Sequence, residues 1–370
     1  MNKFKRTRCV ITDDENIKSL YAFKNFPTLI SCEESKDNSN DVFADIEWGL
    51  SSAGHLQLTT LLDPDLIYKN YHNPGTVGEV WKNHHRMFAE FIQEDKIGNV
   101  LEIGGATGSL ARNFENCDKD FTWTIIEPSS NYDSLNDKIK TINGFFEDYD
   151  FDLTVDTIAH SHCLEHAYNP IEFLRKVNSL LEEGGLHYIS IPNMKHWLEN
   201  GFMNTLSFEH TFYIDSNVLK YLLAHTGFEL VEERIGEHSV FVKARKSKTL
   251  SYEYVDFSYI KDLFNNYVNG IKLDVDNIIQ QVGDNKFYLF GAHVFSQILL
   301  NQGLDESKVE YILDNNSKKQ EKRLYGTNCL IKSPNCLAGI EGPIVVLRAG
   351  SYSNEIKENI LSINPTTIFV

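Results

Sequence analysis

The sequence predicts an α/β protein: a mostly parallel sheet with helices on both faces, preceded by a small irregular module and followed by a second α/β domain. Three observations carry this. Between residues 99 and 246, apolar strand-like runs alternate with amphipathic helical ones. A glycine-rich turn, Gly104-Gly105-Ala106-Thr107-Gly108, joins the first of those strands to its helix. Past a polar break at 246–253, KSKTLSYE, the same alternation begins again. A chain of 370 residues allows two or three such units.

Residues 1–60 show no sustained period and contain the polar stretch EESKDNSND, so they are expected to be irregular. The run PGTVGEVWKNHHRMFAEFIQEDK, 74–96, repeats apolar residues at helical spacing from Val80 through Met87 to Phe91. NVLEI (99–103) reads as a strand, SLARNF as a helix and FTWTIIEP (121–128) as the next strand. TVDTIAHSHCLEH (154–166) starts as a strand, and PIEFLRKVNSLLEEGG (170–185) is a helix closed by glycine. LHYISIPN is a strand, SNVLKYLLAHTGF a helix, and ELVEERIG with HSVFVKARK an antiparallel pair ending the sheet. A helix at 257–282 leads to the last unit. There KFYLFGAH, KVEYILDN, GPIVVLRAG and TTIFV are strands, with VFSQILLNQG and EIKENILSIN as helices.

Apolar residues make up 42% of the chain, with 23 Phe and 17 Tyr, enough for sizeable cores. The formal charge of −17 repels phosphate backbones, so nucleic acid is not an expected partner. The basic N-terminus MNKFKRTRCVITDD lacks the apolar core of a secretory signal. No run approaches the roughly twenty apolar residues of a membrane span, so no membrane partner is expected. Cys9, Cys32, Cys117, Cys163, Cys329 and Cys336 are scattered and read as reduced thiols of a cytoplasmic protein.

The glycine turn lets a backbone approach a ligand closely. Its spacing is neither that of a triphosphate-binding loop nor that of a dinucleotide turn. Glu102 lies in the strand before it, and Glu127 ends the next strand. A carboxylate at the second position can take two ribose hydroxyls. One at the first suits a ligand with a positive charge near the turn and repels a pyrophosphate; alternatively, it caps the turn's own amides. S-adenosylmethionine carries an ammonium, a sulfonium and a ribose without phosphate.

Glu102, Gly104 and Gly108 match the Glu/Asp-x-Gly-x-x-x-Gly turn of the class I S-adenosylmethionine-dependent methyltransferases, which residues of about 100–245 resemble. The resemblance implies a Rossmann-like methyltransferase domain with S-adenosylmethionine as cofactor. It implies cofactor contacts from Glu102, Gly104, Gly105, Gly108 and Glu127, with Phe146 and Glu147 of GFFED near the adenine. His162 is expected on the wall of that pocket. Trp81, with His84, is expected as a lid over it, or else as the inward face of an amphipathic helix.

The flanks resemble one subgroup, the three-part sugar C-methyltransferases acting on nucleotide-linked deoxysugars. GHLQLTTLLDPDLIYKNYHNPGTVGEVWKNHHRMF, SFEHTFYIDSNVLKYLLAHTGFELVEE and FYLFGAHVFSQILLNQG with the VEYILDNNSKKQEKRLYG run carry that likeness. It implies an N-terminal zinc-binding module at 1–73, a methyltransferase domain at 74–250 and, at 251–370, a C-terminal α/β domain in contact with a nucleotide-sugar. The two expected Cys-x-x-Cys pairs stand here as Cys9-Val10-Ile11-Thr12 and Leu50-Ser51-Ser52-Ala53. One sulfur of four is too few for a structural zinc, so the module is expected to be degenerate and metal-free. His55 and Cys32 are expected to be merely packed or exposed.

The subgroup's Tyr-His-Glu-His reads here Ser207-Phe208-Glu209-His210, and its paired tyrosines read Tyr71-His72-Asn73. Losing a tyrosine and a histidine disfavours enolate chemistry, which needs a base and an oxyanion partner. O-methylation needs one base, and His210 oriented by Glu209 suffices; alternatively, His210 is a core histidine. His162 is the second candidate base, and Tyr71 a further catalytic candidate. His162 and His166 in HSHCLEH would share a face if helical, yet the run begins at a strand end and no metal is expected there. The expected function is methyl transfer to a small-molecule acceptor, a nucleotide-linked sugar of surface-polysaccharide or natural-product biosynthesis, with O- favoured over C-methylation. The alternative is a catalytically inert protein that keeps the fold. A nicotinamide oxidoreductase built on Gly291 is disfavoured, because LFGAHVFSQ lacks the later glycines of that turn.

Overall fold

The computed structural model describes residues 3–69, 78–114, 121–128, 137–152, 154–205, 207–248 and 256–370. The N-terminal region is ordered β structure, which corrects the expectation of an irregular module. Strands β1 (Ile17–Pro27), β2 (Phe43–Ser51) and β3 (Leu56–Leu58) form an antiparallel sheet. Register shifts between Ser19 and Tyr21 and between Phe23 and Phe26 interrupt the period of two. Those bulges hide the strand in the sequence.

Helix α1 (Glu79–Gln93) precedes the central sheet. Its buried face is His84, Phe88, Ala89, Phe91 and Ile92. The Val80–Met87–Phe91 spacing therefore marked that face only in part: Phe91 is buried, but Met87 is 45% exposed. The central sheet comprises β4 (Asn99–Ile103), β5 (Thr122–Glu127), β6 (Ile139–Asn143), β7 (Val155–Ser161), β8 (Leu181–Pro192), β9 (Phe228–Ile235) and β10 (Ser239–Lys246). Their order is β9-β10-β8-β7-β4-β5-β6. The pairs among β4–β8 are parallel, while β10 is antiparallel to both β8 and β9. Helices α2 (Ser109–Arg112), α3 (Pro170–Leu180), α4 (Met194–Glu199) and α5 (Ser216–His225) complete this Rossmann-like unit. Helix α3 ends at Leu180, and Leu181 to Gly185 already run in β8, so the glycines at 184 and 185 do not close it.

The long helix α6 (Tyr259–Val282) leads to a second, wholly parallel sheet of β11 (Phe287–Phe290), β12 (Val309–Leu313), β13 (Ile331–Lys332), β14 (Ile344–Leu347) and β15 (Ile368–Phe369). Its order is β13-β12-β11-β14-β15, with α7 (Val294–Asn301) and α8 (Ser353–Ile363) as its helices. One buried apolar cluster runs from Phe23 and Trp48 through Leu101 and Phe212 to Phe264 and Ile298, so the three parts share a core. Polar links reinforce it. Arg323 holds Asp41 through both guanidinium nitrogens at 2.6 and 2.7 Å, and Gln297 Nε2 donates to the Leu29 carbonyl. Among the described residues no helix is long and apolar enough to cross a membrane, and the five described cysteines are free thiols.

Candidate active site

Strand β4 delivers the glycine turn at the carboxyl end of the sheet. Gly104 and Gly108 sit at φ +70° and +74°, the left-handed region that glycine enters without strain. Gly105 serves packing: a Cβ there would stand 2.5 Å from Ile125 Cγ2 and 3.0 Å from Glu102 Oε1. The Glu102 carboxylate is buried and accepts from Trp123 Nε1 at 2.7 Å. Burial pushes its pKa up to about 7, opposed by Trp123 and helped by the Glu127 charge. It is Glu127, not Glu102, that takes an amide of the turn, with Ala106 N donating to Oε2 at 3.1 Å. Phe146 packs between Phe151 and Phe173, and Glu147 follows it. Glu102, Gly104, Gly105, Glu127, Phe146, Glu147, His162 and Trp81 all border one cavity of about 560 Å³. It lies beyond the carboxyl ends of β4, β5 and β7, where open α/β sheets bind ligands. Gly108 caps α2 just behind it.

His162 follows β7 with φ +50°, and its Nε2 is 2.7 Å from Ser239 Oγ. The Trp81 ring stands 4.9 Å from it. Burial and the neighbouring imidazoles push His162 well below the usual histidine range, so it is neutral. His84 does not border the cavity: it is 4% exposed, with Nε2 2.8 Å from Ser161 Oγ.

His210 borders the same cavity from the segment before α5. Its Nδ1 is 2.9 Å from the Thr205 carbonyl, so that carbonyl orients the ring, a role expected of Glu209. Burial lowers the His210 pKa, while the Thr205 carbonyl and the Glu209 charge act the other way. The net direction is down, because burial outweighs both. Tyr71, with His72 and Asn73, lies outside the described residues.

Two groups that sequence reasoning missed complete this wall. Tyr68 Oη is 2.8 Å from His166 Nδ1. Glu165 is wholly buried, and its Oε1 lies 3.7 Å from both His162 Nδ1 and His166 Nε2. The adjacent Glu165-His166 in HSHCLEH was a usable signal; nothing in the chain flags Tyr68. His293, from the second α/β unit, and Asp63 and Asp65, from the N-terminal region, border the cavity too. In the N-terminal module the residues read as a lost zinc pair lie apart from this site. Cys9 Sγ faces His55 Nδ1 at 3.7 Å, while Cys32 lies against Leu324 in a separate strand pair.

Residues 76–233 match a family model described as a methyltransferase domain. No curated protein matches the chain. Among solved structures, an S-adenosylmethionine-dependent methyltransferase from Clostridium acetobutylicum is 11% identical, with 44% of this chain and 92% of that chain covered and a TM-score of 0.36. The Burkholderia thailandensis 1,6-didemethyltoxoflavin-N1-methyltransferase, with bound 1,6-didemethyltoxoflavin and S-adenosylhomocysteine, is 15% identical over 46% and 82% of the two chains, with a TM-score of 0.36. The plantazolicin methyltransferase BpumL in complex with S-adenosylhomocysteine is 13% identical over 45% and 84%, again at 0.36. By that match, residues 76–233 are a methyltransferase domain. The chain's own residues fit S-adenosylmethionine: a glycine turn at positive φ beside two carboxylates and an aromatic wall, in one cavity.

Proposed function

We propose that this methyltransferase acts on an oxygen of a small-molecule acceptor, a nucleotide-linked sugar of surface-polysaccharide or natural-product biosynthesis. The observation that carries the reading is a single cavity with two chemically distinct walls. One wall holds Glu102, Glu127 and the glycine turn. The other holds Tyr68, Glu165, His166 and His210. When bound at the first wall, the cofactor supplies an electrophilic methyl group on a sulfonium. Glu102 faces its cationic portion, Glu127 the ribose, and Phe146 and Glu147 the adenine.

The residues of the second wall seat the acceptor. The Thr205 carbonyl can only accept a hydrogen bond, so His210 Nδ1 carries the proton and Nε2 offers a lone pair. A neutral imidazole so fixed can take the proton of an acceptor hydroxyl as the methyl moves. Trp81 and Trp197 also border the cavity. The N-terminal region and His293 of the second α/β unit border the same cavity, which supports an acceptor longer than a single sugar ring.

The test is a screen of labelled S-adenosylmethionine against nucleotide-sugars and simple hydroxyl acceptors, with the product identified by mass. His210→Ala is expected to lower turnover about 10²–10⁴-fold, the range for a positioned base, with affinity for S-adenosylhomocysteine nearly unchanged. Full turnover in His210→Ala would place the base elsewhere, and the His162 ring is then the next to replace.

A further inference from the structure

Glu165 stands out in the second wall. It is wholly buried, and among the described residues neither carboxylate oxygen has a hydrogen-bond partner. Such a group needs an explanation, because an unsatisfied buried carboxylate costs more than a lost neutral hydrogen bond. Its surroundings supply one. Single donor atoms of Glu165, His166 and His210 all lie within 4.8 Å of one another. Bonds of about 2.0–2.2 Å to one ion would close that span with small side-chain rotations.

The two imidazoles are held as metal-binding histidines are held, each by its second ring nitrogen. His210 has Nδ1 on the Thr205 carbonyl at 2.9 Å, which fixes the tautomer and leaves the Nε2 lone pair. His166 has Nδ1 at 2.8 Å from Tyr68 Oη and turns Nε2 toward Glu165 Oε1. The three residues come from the turn after β7 and the segment before α5, and Thr211 N donating to the Glu165 carbonyl at 2.9 Å ties those segments together.

We propose that Glu165, His166 and His210 form a site for one divalent transition cation, open on its cavity side to an oxygen of the acceptor. Two imidazole nitrogens and one carboxylate suit zinc or manganese better than magnesium or calcium, which prefer all-oxygen shells. Three protein ligands leave positions for water or substrate, as in catalytic rather than structural sites. With the ion seated, His210 is a ligand, and the base role assigned to it above belongs to the ion-free form. A second cluster, His84, His162 and His238, is a weaker candidate, because the Ser239 hydroxyl already lies 2.7–3.2 Å from a nitrogen of each ring.

The experiment uses the full chain, stripped with chelator and titrated separately with zinc and manganese chloride by calorimetry. Metal content after dialysis is measured in parallel. One ion per chain is expected to bind. Glu165→Gln, which keeps the side chain's shape, is expected to weaken binding at least 10²-fold while S-adenosylhomocysteine still binds. Tyr68→Phe is expected to weaken it about 10–100-fold, the usual effect of removing an orienting partner. No stoichiometric binding of either ion by protein that binds S-adenosylhomocysteine would overturn the site and leave the methyltransferase reading standing. Binding unchanged in Glu165→Gln but lost in His238→Ala would also overturn it, by placing the ion at the other cluster.

Discussion

Burial holds the Glu102 carboxyl up to about 7, at the centre of the physiological range. The sign of its effect on ligand binding follows. Below that value the group is neutral and gives a cationic ligand little; above it, the carboxylate attracts an ammonium or sulfonium. Affinity for S-adenosylhomocysteine is therefore expected to rise as pH increases from about 6 to 8. Glu102→Gln should flatten that profile and cost about 10–100-fold in affinity, the worth of a charged hydrogen bond. Calorimetry across that pH range checks it, and an equally steep profile in the variant would contradict the assignment. At this scale the sequence was informative where function is local. Glu102, Gly104, Gly108 and Glu127 sit at fixed spacings around one strand–turn–helix. Tyr68 and the Thr205 carbonyl were illegible, because only tertiary packing sets them against His166 and His210.

Helix α5 shows how an element places the second wall. Asp215 caps it, with one carboxylate oxygen accepting from Asn217 N and Val218 N at 3.0 Å each. The other oxygen accepts from Tyr213 Oη at 3.1 Å and from Tyr259 Oη at the start of α6. Removing it strips a cap and strands a buried tyrosine hydroxyl. Asp215→Ala is expected to destabilise the fold by about 2–4 kcal/mol. Denaturant unfolding checks this, and a loss under about 0.5 kcal/mol would show the cap to be incidental. Apart from β6 and β13, which are mixed or only two residues long, the strands of both α/β sheets were readable, because each is an apolar run between helical repeats. The N-terminal sheet was not, since bulges break the alternation and Asn25 takes a positive φ within β1. The end of α3 was misplaced because Gly184 and Gly185 look like a helix stop yet lie in β8.

At the scale of the molecule, the three parts are locked by a shared apolar core and a few buried polar links. Arg323 and Asp41 each expose 4% of their side chains, so neither charge has solvent to fall back on. Asp41→Asn should cost about 3–5 kcal/mol by leaving a buried guanidinium uncompensated. Asp41→Leu with Arg323→Met should recover most of that loss. Thermal unfolding of the three proteins checks it, and equal melting of the single variant and wild type would contradict the interlock. The central claim is that the cavity beyond β4, β5 and β7 holds the methyl donor. Calorimetric titration of S-adenosylhomocysteine into the full chain and into Gly104→Asp tests it most directly. The account predicts one site per chain in the wild type and none in the variant, whose added side chain meets a φ of +70° and crowds Cys163 Sγ at 3.2 Å. Absence of binding to the folded wild type at high micromolar ligand, or equal binding by folded Gly104→Asp, would contradict it.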